Sequence, residues 1–307
     1  MSENKKIHLT SIGGQAIIEG VMMRGPKEIA MAVRKPNGEI IVDKKPVSSI
    51  VQKYKLLKIP IVRGVISFIE SLVIGIKALT FSANFFEMDE GEEGEPKEPE
   101  KLSNVLIYLT VAFSLMLGIG LFFMLPLFLV RLVESSIPND IVKNLAEGGV
   151  RLLIFLIYVV AISRMKDIRR VFEYHGAEHK SIHCYEKGED LTTDNIKAMS
   201  RLHPRCGTSF LLIVMVVSIL IFTMLPSGIP LWQRAAYRLS LLPVVAGLSY
   251  EVIKFAGRKC NWFTKLISAP GIWMQYLTTR EPDESQIEVA VAALTAVMPE
   301  NKEDDKW

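Results

Sequence analysis

Two long stretches without any charged side chain constrain the fold of this chain most. They comprise residues 102–130 and 206–233. A helix needs ~20 apolar residues to cross the hydrocarbon core of a bilayer, and both stretches exceed that length. Half of all residues are hydrophobic and the mean hydropathy is +0.27, which is high for a soluble protein of this size. Both stretches are therefore predicted to be transmembrane helices.

Two shorter uncharged runs, residues 152–163 and 239–250, are each flanked by charged residues. Runs of this length also occur in buried helices of soluble proteins. Arginine side chains at the ends of a span can reach the membrane interface, however, so one or two further turns would give each run spanning length. We therefore predict a mainly α polytopic membrane protein with about four transmembrane helices.

The charges between these runs predict the orientation. Residues 134–148 hold one lysine against three carboxylates, whereas residues 164–205 hold nine lysines and arginines. Cytoplasmic loops carry the excess of positive charge, so both termini and the segment 164–205 are predicted to be cytoplasmic. No apolar signal segment is evident near residue 1. The net charge of +3 is too small and too mixed to indicate a nucleic-acid partner.

The N-terminal region is predicted to be a small β-rich unit. Residues 28–34 and 39–44 alternate or run apolar, and Pro36-Asn-Gly38 between them favours a hairpin turn. The preceding segment 13–26 carries four glycines, which indicate tight turns and close approach of the backbone. Its spacing matches neither a dinucleotide fingerprint nor a P-loop.

The next helix is predicted to lie in the membrane interface. Its charged residues Arg63, Glu70 and Lys77 recur every seven residues, so they form one stripe on an otherwise apolar helix. The chain is accordingly divided into seven predicted parts. They are a cytoplasmic β-rich unit (1–55), an amphipathic interfacial helix (56–86), an acidic linker (87–101), two transmembrane helices (102–165), a cytoplasmic histidine-rich loop (166–205), two more transmembrane helices (206–256) and a cytoplasmic C-terminal region (257–307).

The candidate chemistry is concentrated in residues 173–186, which contain three of the five histidines. A helix predicted over 167–187 would place His175 and His179 on one face, one turn apart, where they can grip one ion. With Glu178 they form the His-x-x-Glu-His pattern of inverted zincins, in which two histidines bind zinc and the glutamate activates water. The pattern predicts a divalent transition metal, zinc by preference.

His203 and Cys206 come from a separate segment, and His203 is the best third ligand. Together with His175 and His179 they would close a tetrahedron, which is typical of structural zinc. With only three protein ligands a position stays open for water, and Glu178 would act as the catalytic base. His183 and Glu251 are possible additional ligands, and Glu251 is alternatively a partner that orients a ligating histidine.

Two other interpretations of the same residues stay open. The histidines can cap helices or pair with nearby carboxylates without any metal. Cys206 begins the third span, where helix amides and Arg205 would favour a thiolate, so it could be a nucleophile with a histidine base. That reading leaves the His175 and His179 pair unexplained.

Three separated blocks of the chain resemble the YqhQ family of bacterial membrane proteins: residues 13–24, 173–180 and 203–210. The family is classed as a domain of unknown function and described as predicted metal-dependent enzymes. The resemblance covers nearly the whole chain and implies a bacterial inner membrane and a metal site, without a substrate.

The sequence thus supports two functional hypotheses. The first is a zinc-dependent hydrolase that acts on a lipid or a membrane protein at the cytoplasmic side of the bilayer. The second is a non-enzymatic scaffold or assembly factor whose metal only fastens the histidine-rich loop to the membrane helices. The bilayer is the one partner common to both.

Overall fold

A computed structural model describes residues 8–85, 104–137, 139–226, 228–258 and 262–306. The predicted linker 87–101 and Cys260 lie outside these residues. The four strands are β1 (Gly13–Ile17), β2 (Gly20–Arg24), β3 (Glu28–Arg34) and β4 (Ile40–Pro46). The helices are α1 (Ile50–Lys53), α2 (Val62–Ala83), α3 (Asn104–Ile119), α4 (Leu125–Leu132), α5 (Asp140–Ile162), α6 (Lys166–Lys187), α7 (Thr193–Lys197), α8 (Gly207–Phe222), α9 (Leu231–Arg258), α10 (Trp262–Thr278) and α11 (Glu284–Val297).

The strands form an antiparallel meander in the order β1-β2-β3-β4. The predicted β3-β4 hairpin is present, and Gly38 in its turn has a φ of +88°, which favours glycine. β1 and β2 come from the glycine-bearing segment, where the sequence had indicated only turns. Alternate side chains of a strand point to opposite faces, and successive residues of β2 and β3 are buried, so these two strands are covered on both faces. One face packs on α6 and α11, and the other packs on the C-terminal half of α2.

Four helical segments of the described chain are long and apolar enough to cross a bilayer. They are Val62–Ala83, Tyr108–Leu132, Asp140–Ile162 and Leu231–Ala256. The number agrees with the prediction, and the chain is a mainly α membrane protein with a small N-terminal sheet. The set differs in two members: α2, predicted to be interfacial, has the length of a span, and α8 is apolar but has only 16 residues.

The two helices predicted from short uncharged runs are longer than those runs, because buried charges continue them. The flanking arginines were predicted to reach the membrane interface. Instead Arg151 and Arg238 are buried, and both bind Glu147, which is 1% exposed. Arg234 and Asn144 complete the cluster. Paired charges can remain inside a helical bundle, and the pairing cannot be seen from hydropathy alone.

Helix α2 and helix α8 both pack on α9 and so frame the space beside the candidate site. A Cβ on Gly64 would lie only 2.9 Å from the Gly247 Cα, which shows how closely α2 approaches α9. At its other end α2 meets the sheet, where the Ile18 backbone N–H donates to the Ser82 hydroxyl at 3.2 Å. Helix α10, which the sequence analysis did not separate from the C-terminal region, packs on α8 and α9.

Candidate metal centre

The histidine helix forms as its sequence predicts. α6 spans Lys166–Lys187 and ends at Gly188, whose left-handed φ of 67° closes the helix. The rings of His175 and His179 are 4.4 Å apart between centroids, as expected for side chains one turn apart on one face. The spacing argument therefore holds for this pair.

His175, His179 and Cys206 bring three potential ligand atoms within 4.8 Å of one another. The His175 Nε2 lies 3.1 Å from the Cys206 Sγ. Cys206 is the N-cap residue of α8 and accepts from the Thr208 backbone N–H at 3.4 Å. The histidine helix and the start of α8 thus meet at one point, which we call the primary ligand group.

The second ring nitrogen of each of these histidines is held by a backbone carbonyl. His175 Nδ1 donates to the Thr278 oxygen at 2.8 Å, and His179 Nδ1 donates to the Arg201 oxygen at 2.6 Å. A carbonyl oxygen only accepts, so Nδ1 is the donor in both rings, and Nε2 is the nitrogen that each ring can offer to a metal. This is the tautomer of histidines that bind metal through Nε2.

Glu178 lies beside the primary ligand group. Its Oε2 is 3.6 Å from the His179 Nε2 and 3.9 Å from the His175 Nε2. Burial raises the pKa of the Glu178 carboxyl, and His175 and the Gly14 backbone oppose this rise only in part. A buried carboxylate of this kind favours a nearby cation.

His183, Glu186 and His203 form a neighbouring cluster whose potential ligand atoms also lie within 4.8 Å of one another. The His203 Nδ1 accepts from the Arg205 backbone N–H at 3.3 Å, so its proton is on Nε2. That nitrogen faces the Glu186 Oε2 at 3.6 Å. Burial lowers the pKa of His203 to about 4, which keeps the ring neutral near pH 7.

This arrangement differs from the predicted set of four ligands. His203 belongs to the neighbouring cluster and presents a protonated nitrogen to Glu186, so it does not join the other three. His183 is also turned away, because its Nε2 donates to the Leu202 carbonyl at 2.9 Å. The reason is the loop before α8, which brings His203 against the last turn of α6 rather than its middle.

Glu251 lies apart from the histidines. Both of its oxygens bind Arg63 of α2, at 2.7 Å to Nε and 2.5 Å to Nη2. The bidentate arginine balances the charge of Glu251 without any metal. The sequence could not indicate Arg63 as the partner of Glu251, because the two residues are 188 positions apart.

Several residues at the site escaped the sequence analysis. Gly14 of β1 touches Glu178, since a Cβ there would lie 2.8 Å from the Glu178 Cγ. Gln275 of α10 fixes the loop that carries His203, accepting from the His203 backbone N–H at 2.7 Å and donating to its carbonyl at 2.8 Å. The glycine-rich segment was a usable signal for Gly14, whereas Gln275 stands in no motif.

A cavity of about 420 Å³ reaches the primary ligand group from the membrane helices. Cys206 and Arg205 stand at one end of it, and α2, α8 and α9 form its walls. Ligand pockets commonly have volumes of ~300–1,000 Å³ and mainly apolar walls. The primary ligand group is thus reachable at Cys206, although His179 and Cys206 are buried.

Comparisons with known proteins agree on a family without an activity. Residues 59–300 match the family described as "Protein of unknown function (DUF1385)". The chain is 36% identical over 292 residues to a protein of Bacillus subtilis (strain 168) described as "Uncharacterized protein YqhQ", covering 93% of this chain and 92% of that protein. No solved structure matches.

Proposed function

Because the chain belongs to the DUF1385 family, whose description gives no activity, we propose from its own residues that it is a membrane-bound metal-dependent hydrolase. The metal is zinc, and the substrate is a lipid or a membrane protein. We further propose that the sheet, α6 and α11 lie on the cytoplasmic side of a bacterial inner membrane. Their shared hydrophobic core supports a common side for all three.

The observation that carries the proposal is the pair of hydrogen bonds that orient His175 and His179 beside Cys206. Both rings donate from Nδ1 to carbonyls, so Nε2 is the nitrogen that each ring can offer to a metal beside the Cys206 sulfur. Two imidazoles and one thiolate suit zinc in donor type and number, and catalytic zinc sites use three protein ligands. Zinc held there would supply a Lewis acid and a water molecule of lowered pKa.

Glu178 is the proposed general base. Its carboxylate faces the primary ligand group, and its desolvation makes it a stronger proton acceptor. Hydrolysis consumes one water molecule. Its oxygen bonds to the acyl carbon, the bond from that carbon to the leaving oxygen or nitrogen breaks, and Glu178 transfers the proton of the water to the leaving atom.

Access to the site favours an enzyme over a structural zinc. Closed structural sites carry four protein ligands, whereas here one of the four predicted ligands, His203, belongs to the neighbouring cluster. Cys206 also lines the cavity, so a substrate can approach the ligand group from the membrane side. The rival remains a scaffold in which Glu178 itself is the fourth ligand of a closed site.

The Glu178→Gln variant separates the enzyme from the scaffold. In an enzyme, the variant retains its metal and its unfolding temperature but loses hydrolysis by about 10²–10⁴-fold, because a general base contributes that much. Hydrolysis is measured as fatty acid released from phospholipid vesicles and as new termini in membrane proteins. A scaffold would instead lose metal in this variant, and loss of metal would contradict the proposal.

A cysteine nucleophile is the second candidate, favoured by the 3.1 Å contact between His175 and Cys206. In that case His175 would be the base and Thr278 would orient it. The alternative gives His179 no role, although its ring is fixed in the same way. It predicts a covalent acyl intermediate on Cys206 and an activity that survives chelators.

A further inference from the structure

The proposed function does not define what occupies the cavity beside Cys206. On α2 it is lined by Ser67, Ser71 and Gly75, which recur every four residues and therefore lie on one helix face. Small side chains along this face leave the space open. Phe68 and Phe210 close it at one level, with their ring centroids 5.6 Å apart.

Most of the cavity wall is apolar. The side chains of Leu72, Ile76, Leu79 and Ile253 contribute to it, and no charged residue other than Arg205 is found among the described lining residues. A peptide would bring backbone N–H and C=O groups that this wall cannot satisfy. A hydrocarbon chain needs no hydrogen bonds, so it fits the wall without that cost.

The two ends of the cavity differ in polarity. At the end nearest the primary ligand group lie Gln15, Arg205, Cys206 and the first residue of α8. The N-terminus of a helix carries partial positive charge, which favours an ester carbonyl or another oxygen group. Phe68 and Leu72, which precede Gly75 on α2, are exposed on the helix surface and would face lipid.

From these features we propose that the cavity binds one acyl chain of a membrane lipid, with its oxygen-bearing end at Cys206 and Arg205. The chain enters between α2 and α8 from the bilayer, without leaving it. This inference rests on the proposed function only in making the lipid an ester substrate. The binding site itself is drawn from the cavity and its polarity.

The test uses a phospholipid that carries a photoactivatable diazirine on one acyl chain, mixed into vesicles with the purified full-length protein. Illumination should label peptides from the first turns of α8 and from the cavity face of α2. The reference is labelling of α3, whose side chains Leu109 and Phe113 are exposed. In the wild type, the cavity peptides should be labelled more strongly than α3.

The double variant Ser67→Leu/Ser71→Leu fills the cavity, so that fewer methylene groups of the acyl chain can be buried there. Because these groups supply the affinity, labelling of the cavity should fall about tenfold. The matched control, Ile69→Phe/Val73→Phe, adds bulk on exposed positions of the same helix outside the cavity and should leave labelling unchanged. The thermal unfolding of both variants shows whether each is folded. A short-chain lipid should compete less than a long-chain lipid.

Equal labelling of cavity and α3 peptides, or no difference between a folded filled variant and its control, would overturn the acyl-chain site. The Glu178→Gln variant distinguishes this failure from that of the proposed function. If it and the wild type are labelled alike while neither releases fatty acid nor produces new termini in membrane proteins, the binding site stands and the hydrolase proposal fails.

Discussion

At the scale of single residues, two glycines allow the sheet and the C-terminal chain to approach the histidine helix. A Cβ on Gly176 would lie 2.0 Å from the Arg280 carbonyl oxygen, and a Cβ on Gly14 would lie 2.8 Å from the Glu178 Cγ. Only a residue without a side chain fits such contacts. Gly14 thereby determines where Glu178 points.

The Gly14→Ala variant should lose about 1–3 kcal/mol of its free energy of unfolding, because overpacking a tight contact costs that much. It should also hydrolyse more slowly, since Glu178 must move. The neighbouring Gly13→Ala is the control: no atom lies within 4 Å of its added Cβ, so the change should stay within about 0.5 kcal/mol. Thermal unfolding in detergent measures both, and equal losses would contradict this account of Gly14.

The sequence predicted the pairing of His175 with His179 and the arrival of Cys206, because helix spacing and a nearby second segment suffice for these. The structure places one of the four predicted ligands, His203, in the neighbouring cluster with His183 and Glu186. The His203 ring accepts from the Arg205 backbone N–H, and the His203 backbone is held by Gln275, which is 72 residues away. Local spacing carries no information about such contacts, and the same holds for the Glu251 and Arg63 pair.

At the scale of elements, the buried charge cluster joins α5 to α9. Glu147 accepts from Arg151 at 3.0 Å, from Arg234 at 3.3 Å and also from Arg238. Arg151 Nε additionally donates to the Phe122 carbonyl at 2.9 Å. Pro126, four residues later, has no N–H to offer that carbonyl, so the arginine replaces a missing helix hydrogen bond.

Replacing Glu147 by Gln should destabilise the helical bundle by about 3–5 kcal/mol, because it leaves buried guanidinium groups without a carboxylate. Glu39→Gln removes an exposed partner of Lys35 and should leave the stability nearly unchanged, because exposed ion pairs contribute little. Denaturation in detergent, followed through helix content, compares the two. Similar stabilities would mean that the cluster does not fasten α5 to α9.

The elements themselves were predictable where periodicity was strong, as in the β3-β4 hairpin and α6. Two kinds were missed. β1 and β2 were hidden because glycines weaken strand patterns, although one of these glycines, Gly14, lies against Glu178 of α6. Helix α10 was missed because Pro270 and Gly271 interrupt its sequence, and Ser209 packs against the bare Gly271.

At the scale of the whole molecule, parity limits which helices cross the membrane. β1 and α6 pack together, so the chain must cross an even number of times between them. Segments Tyr108–Leu132 and Asp140–Ile162 supply two crossings. The segment between β4 and α2 contains only short helical turns and cannot cross on its own. We therefore predict that α2, despite its length, does not cross the membrane, so that both of its ends lie on the same side as the sheet.

Epitope tags test this topology. Tags in the hairpin turn at Asn37 and in the linker 87–101 should both be cleaved by protease added to inside-out vesicles. Both should be protected from protease added to spheroplasts. A tag between α4 and α5 should show the opposite pattern. A linker tag on the side opposite to the hairpin tag would mean that α2 crosses, and would contradict the parity argument.

The central claim, that His175, His179 and Cys206 hold a transition metal, is tested most directly by cobalt substitution of the purified protein. A thiolate ligand gives Co(II) an intense near-ultraviolet charge-transfer band, and zinc should displace it. We predict this band at one metal per chain in the wild type and in Cys184→Ser, whose buried thiol instead donates to the Asp190 carbonyl. It should vanish in Cys206→Ser, and His175→Ala/His179→Ala should bind no metal. A wild type without stoichiometric metal, or a band that persists in Cys206→Ser, would contradict the claim.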